Sequence, residues 1–109
     1  MPAHVPVKRV FATSFRSRLR GLIGRDERWL PPGSELVFLR CRSVHTFFMR
    51  RLLDVAFVGP DGIVLRAERD VFPRAVLHCK GAAAAIERFA GERGTHWYRK
   101  GEDANIKIV

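Results

Sequence analysis

A β-rich α+β fold in a single domain is predicted by three features of the sequence. Short runs rich in β-branched and aromatic residues alternate with turn residues; Gly59-Pro-Asp-Gly62 separates two such runs; and only one stretch, from Ser14 to Ile23, switches clearly to a helical period. At 109 residues the chain is one domain, residues 1–109, with residues 1–4 as a flexible extension. Its apolar content of 47% is enough to build a core without disulfides, and two cysteines, Cys41 and Cys79, are too few for a disulfide framework.

Taken in order, Val5-Pro-Val-Lys-Arg-Val-Phe-Ala-Thr13 reads as a first strand, with Pro6 placing it at an edge or a strand start. Ser14 then caps a short helix in which Phe15, Leu19, Leu22 and Ile23 share one face and Gly24 ends the run. Trp29-Leu-Pro-Pro-Gly33 is a loop. Ser34 to Arg40 forms a second strand, and Val44 to Met49 is expected to be extended and largely buried. Leu52 to Val58 places Leu53, Val55 and Phe57 on one face and Asp54, Ala56 and Val58 on the other. The glycine-proline turn returns Ile63 to Glu68 as the antiparallel partner of a hairpin. Residues 82–89 are ambiguous between helix and strand, 92–100 suit a second short helix, and Asn105 to Val109 alternates as a last strand.

The net charge of +9 is lopsided: residues 1–53 hold eleven Lys and Arg against three acids, and residues 54–109 hold nine against eight. Sixteen of the twenty basic residues are arginine, which suits either a solvated surface or an anion-binding face. No apolar run has the length of a membrane span or the layout of a secretory signal, so a cytoplasmic location without membrane association is expected.

Asp54 is the anomaly, because a carboxylate in an apolar strand needs either a partner or a use. The favoured reading is a structural pair with an arginine of the 16–25 segment; the other is a functional carboxylate in a cleft. Glu87 is a second carboxylate in an apolar run, and the two would make an acid/base pair only if they converged. Cys41, His45, His78 and Cys79 have zinc-ligand chemistry but not its spacing, so no metal and no cofactor is assigned. Phosphate-cradling glycine loops are absent.

Several motifs occur in a fixed order. They are Arg16-x-Arg18-x-x-Gly21-Leu-Ile-Gly-Arg25, Val44-His-Thr-Phe-Phe-Met49, Leu53-Asp54-Val55-x-Phe57 with Asp61-Gly62, Pro73, Ile86-Glu87 with Ala90-Gly91, and Gly101. In this order they resemble the bacterial and archaeal domain-of-unknown-function family numbered 192, from about Phe11 to Ile106. The resemblance implies a compact, barrel-like, mainly β fold with one or two short helices, and it tips Ala83 to Phe89 towards strand. It carries no catalytic residues. Relatives commonly have a proline before the residue preceding the aspartate, where this chain has Leu52-Leu53-Asp54, and a Gly-Asp pair near the C-terminus, where it has Gly101-Glu-Asp103.

The functional expectation is a non-catalytic binding module. Its pocket would lie near His45, Met49 and Asp54, ringed by Arg20 and Arg25, for a small anionic or polar ligand or a protein segment. Nucleic-acid binding through the basic half is the alternative, with Phe48, Arg50, Arg51, Trp29 and Tyr98 as the stacking and charged set. A small hydrolase using Asp54 or Glu87 is the weaker one.

Overall fold

The computed structural model describes residue 6 and residues 8–14, 21–91 and 95–108. Seven strands form in the order β1 (Arg9–Phe11), β2 (Glu35–Leu39), β3 (Ser43–His45), β4 (Leu53–Val58), β5 (Val64–Val71), β6 (Val76–His78) and β7 (Ala84–Phe89). Five of them make one sheet in the order β1-β2-β7-β4-β5, in which β1 and β2 run parallel and every other pair is antiparallel. β3 and β6 pair separately as a two-stranded antiparallel ribbon.

The expected helices and barrel are corrected by this arrangement. Among the described residues there is no helix, and β1 and β5 remain the two open edges of the large sheet. Of the helix expected from Ser14, residues 15–20 lie outside the described residues, as does the 1–4 extension; residues 21–24 form a turn closed by Arg25 N–H on the Leu22 carbonyl at 3.1 Å. Of the second helix expected over 92–100, residues 92–94 lie outside the described residues, and 95–99 have no regular structure. The cause is packing: adjacent Trp97 and Tyr98 are both buried, edge to face at 4.9 Å, which a surface helix with one apolar stripe would not allow.

β4 and β7 lie at the centre of the sheet and are buried along their whole length. Strands covered on both faces lose the apolar-polar alternation, which is why residues 82–89 resist assignment from sequence. The faces of β4 fall as its alternation predicts. Leu53, Val55 and Phe57 join Leu36, Phe38, Ala85 and Phe89 in one core, which also takes in Leu22, Leu30, Val44 and Met49. Ala56 and Val58 join Val37, Ala84 and Ile86 in the other, covered by Trp97, Tyr98, Ala104 and Ile106. Residues 105–108 keep the predicted alternation in burial but pair with no strand; Asn105 has a left-handed φ of 54° and the nearest ladder contact is one Ile63–Asp103 bridge.

Val44 to Met49 is extended only as far as His45. Thr46 then anchors a turn: its hydroxyl donates to the Phe72 carbonyl at 2.7 Å and accepts the Ala75 N–H at 2.8 Å, while Met49 N–H returns to the Thr46 carbonyl at 3.2 Å. Phe48, at φ 68°, is thrown outward to 82% exposure and Met49 inward to the core.

The β4–β5 hairpin closes through Gly59 and Gly62. Gly62 has φ 84°, and a Cβ there would lie 3.1 Å from the Ile106 carbonyl oxygen. Gly101 has φ 93° with open space around it. Gly62→Ala is therefore expected to lose more stability in denaturant titration than Gly101→Ala. Both carry the left-handed cost of about 1–2 kcal/mol, and only the first also crowds the Ile106 carbonyl, which has to give way.

Candidate functional site

Three carboxyl groups are buried in the large sheet among the described residues, and their surroundings differ. Glu35 Oε1 accepts Arg9 Nε at 3.2 Å and the Tyr98 hydroxyl at 2.9 Å, and Arg9 Nη2 also donates to that hydroxyl at 2.9 Å. Burial, reinforced by the Glu35 charge, holds the Tyr98 phenol protonated well above its ordinary range. Asp54 is fully buried; its Oδ2 takes Arg88 Nε at 2.8 Å and its Oδ1 takes the Asp70 N–H at 3.0 Å. Its partner thus comes from the register-opposed residue of β7, not from the arginine-rich 16–25 segment.

Glu87 is the third, and it is different. It is 4% exposed and stands between Leu36 of β2 and Val55 of β4, on the face opposite Asp54 and Arg88. It has no hydrogen bond or ion pair among the described residues. With no partner for the charge, burial alone pushes its carboxyl up to about 8, so the group is mostly neutral at pH 7. Because Asp54 and Glu87 point to opposite faces, they cannot act as a converging acid/base pair.

Glu87 opens onto a cavity of about 70 Å³ walled by Leu22, Ile23, Phe38, Val44, Met49 and Leu53. Cys41, Ser43 and His45 line its more exposed side, and Gly21 its floor, where Glu87 Oε1 lies 3.4 Å from the position a Cβ on residue 21 would take. Of the residues expected at a pocket, His45 and Met49 are here. Asp54 lies on the other face of the sheet. Arg25 lines a neighbouring surface groove with Gly24, Asp26, Arg28 and Trp29, its guanidinium 3.5 Å from the Trp29 ring centroid. Arg20 lies outside the described residues.

β3 and β6 hold His78 opposite Ser43 and His45 opposite Val76. Cys41 donates to the Ser43 carbonyl at 3.2 Å, and neither cysteine is in a disulfide. Among the described residues no three His, Cys, Asp or Glu side chains are grouped to hold a metal ion. The Glu35–Arg9–Tyr98 network has no counterpart in the sequence reading, since its members are separated by 26 and 63 residues. Glu87 carried a signal, an acid in an apolar run, but its face and its neighbours depend on register.

A family model, DUF192, described as Uncharacterized ACR, matches residues 3–105. The chain belongs to the DUF192 family. The fold is also similar to two solved structures. A protein of unknown function from Novosphingobium aromaticivorans has a TM-score of 0.65 and 24% identity, covering 76% of this chain and 63% of that one. A Sinorhizobium meliloti protein described as a "putative transcription regulator" has a TM-score of 0.63 and 23% identity, covering 76% and 68%. The chain thus spans less than two thirds of the first, and at these identities the likeness is one of fold. No curated protein matches the chain. For this DUF192 member, no helix among the described residues is long and apolar enough to cross a membrane.

Proposed function

We propose that this DUF192 chain is a binding module whose cavity, beside the β3 strand and Met49, accepts a small polar ligand or the end of a partner's side chain. The observation that carries this reading is Glu87, a buried carboxyl with no partner among the described residues, facing an apolar cavity. The other two buried carboxyls are tied to arginines and explain themselves as architecture. A group kept in the core at a cost, next to empty space, fits a ligand contact. At about 70 Å³ the space holds about five water-sized groups, which excludes a nucleotide or a sugar chain and suits a short polar fragment. The nucleic-acid alternative loses Tyr98 from its stacking set, because that ring is buried against Arg9 and Glu35, and Arg25 occupies one face of the exposed Trp29 ring.

The test is NMR of the Met49 methyl and the His45 ring while propanol, propionamide, propylamine and propionate are titrated in turn. At least one probe is expected to shift both groups saturably, and Cys41→Phe, which fills the exposed side of the cavity, should abolish the shifts while the sheet resonances stay in place. If no probe moves the Met49 methyl, or if Cys41→Phe leaves the shifts intact, the cavity is not a binding site.

A further inference from the structure

Resting on the cavity reading above, we infer that the site takes a primary carboxamide on a short apolar stem, held by paired hydrogen bonds to the Glu87 carboxyl. A protonated carboxyl offers one O–H donor and one carbonyl acceptor side by side. A primary carboxamide offers the complementary acceptor and donor in one plane, so two hydrogen bonds close a ring and satisfy Glu87 without placing a charge in the core.

Charged ligands fit less well, for two separate reasons. Among the described residues no Lys or Arg lines the cavity, so an anion buried beside Glu87 finds no countercharge among them. A cation would find Glu87 as the one carboxyl among the described lining residues, and would pair with it only after that carboxyl gives up its proton inside the core. The apolar walls of Leu22, Phe38, Val44, Met49 and Leu53 receive the stem, and the cavity's size limits it to two or three carbons.

Among the described residues, the titratable groups lining the cavity besides Glu87 are His45 and Cys41. The experiment therefore compares wild type with Glu87→Gln and Glu87→Leu, all of which keep both. Propionamide binding is followed by the Met49 methyl shift between pH 6.5 and 9.5. Wild type is expected to bind propionamide with a dissociation constant of about 1 mM, as befits five non-hydrogen atoms, and at least tenfold more tightly than propylamine or propionate. Its affinity should fall about 30-fold by pH 9.5 as Glu87 ionises. Glu87→Gln, itself an amide, should bind without that pH dependence, and Glu87→Leu should lose at least tenfold at every pH.

Both variants remove a desolvated acid and are expected to fold. Capped glutamine (acetyl and methylamide ends) run in parallel separates sources: binding as tight as propionamide assigns the side-chain end of a protein segment, whereas weaker binding assigns a free small amide. Tighter binding of propylamine with release of a proton, a flat pH profile in wild type, or equal affinity in Glu87→Leu and Glu87→Gln overturns the carboxamide assignment. Saturable binding of another probe would leave the binding-module reading standing, while silence from every probe removes both.

Discussion

Asp54→Ala is expected to cost about 3–5 kcal/mol of folding stability, because it strands a buried guanidinium. Arg88 is 5% exposed, Asp54 is its ion-pair partner at 2.8 Å, and Arg88 Nη2 already has no hydrogen-bond partner, so nothing nearby can take over the charge. Asp54 also has a second task. Leu53 pairs with Val71 but Val55 pairs with Glu68, so β5 carries one residue more than β4 across this step. Asp70, at φ 54°, sits in the resulting bulge, and its N–H finds Asp54 Oδ1 in place of a ladder carbonyl. For a domain whose total stability is about 5–15 kcal/mol, losing both contacts removes about a fifth of it or more.

The measurement is the denaturant midpoint of Asp54→Ala, Arg88→Met and the double variant Asp54→Leu/Arg88→Met. Methionine keeps the apolar stem that packs beneath Trp97, whose ring lies 4.5 Å from the Arg88 guanidinium carbon. The double variant is expected to recover most of the loss, since apolar replacement of a buried pair is commonly neutral or stabilising. A double variant as unstable as Asp54→Ala would show that the bulge contact to Asp70, and not the stranded charge, is what the aspartate supplies.

The same pair marks how far the sequence could be read. An acid in Leu52 to Val58 demands an arginine, and it has one; which arginine was not legible. Arg88 meets Asp54 because β4 and β7 pair across 34 residues of chain in a register that no local pattern encodes. The hairpin around Gly59-Pro-Asp-Gly62 was legible because its turn chemistry and its two strands are contiguous. Residues 82–89 were not, since a strand buried on both faces and rich in alanine has the composition of a helix. Phe47 and Phe48 read as core and lie outside because Thr46 spends its hydrogen bonds on the loop from Phe72 to Ala75, turning the chain there. The candidate site divides in the same way: His45 and Met49 were legible as neighbours on one short segment, whereas Glu87 joins them only through the β2-β7-β4 register.

Wild-type protein is expected to lose stability as the pH rises from about 5 to 9, and Glu87→Gln to remove that loss. Folding raises the Glu87 carboxyl from 4.5 to about 8 by burial. Below pH 4.5 the group is neutral in both states and contributes no difference. Between 4.5 and 8 the unfolded chain ionises freely while the folded chain must hold the proton, so the folded state binds more protons and stability falls with pH; above 8 the folded carboxyl ionises too and the loss levels off. The full penalty is on the order of 5 kcal/mol. Other groups titrate over the same range, so the informative quantity is the difference between wild type and Glu87→Gln in denaturant titrations at pH 5, 7 and 9. It should be smallest at pH 5 and grow steadily in favour of the variant, and parallel curves would mean that water or local opening solvates the carboxyl in the folded state. A sheet that places Leu36 and Val55 on either side of position 87 has every reason to prefer an apolar residue there. Under the proposed binding role, an acid placed at that cost against a cavity trades stability for function.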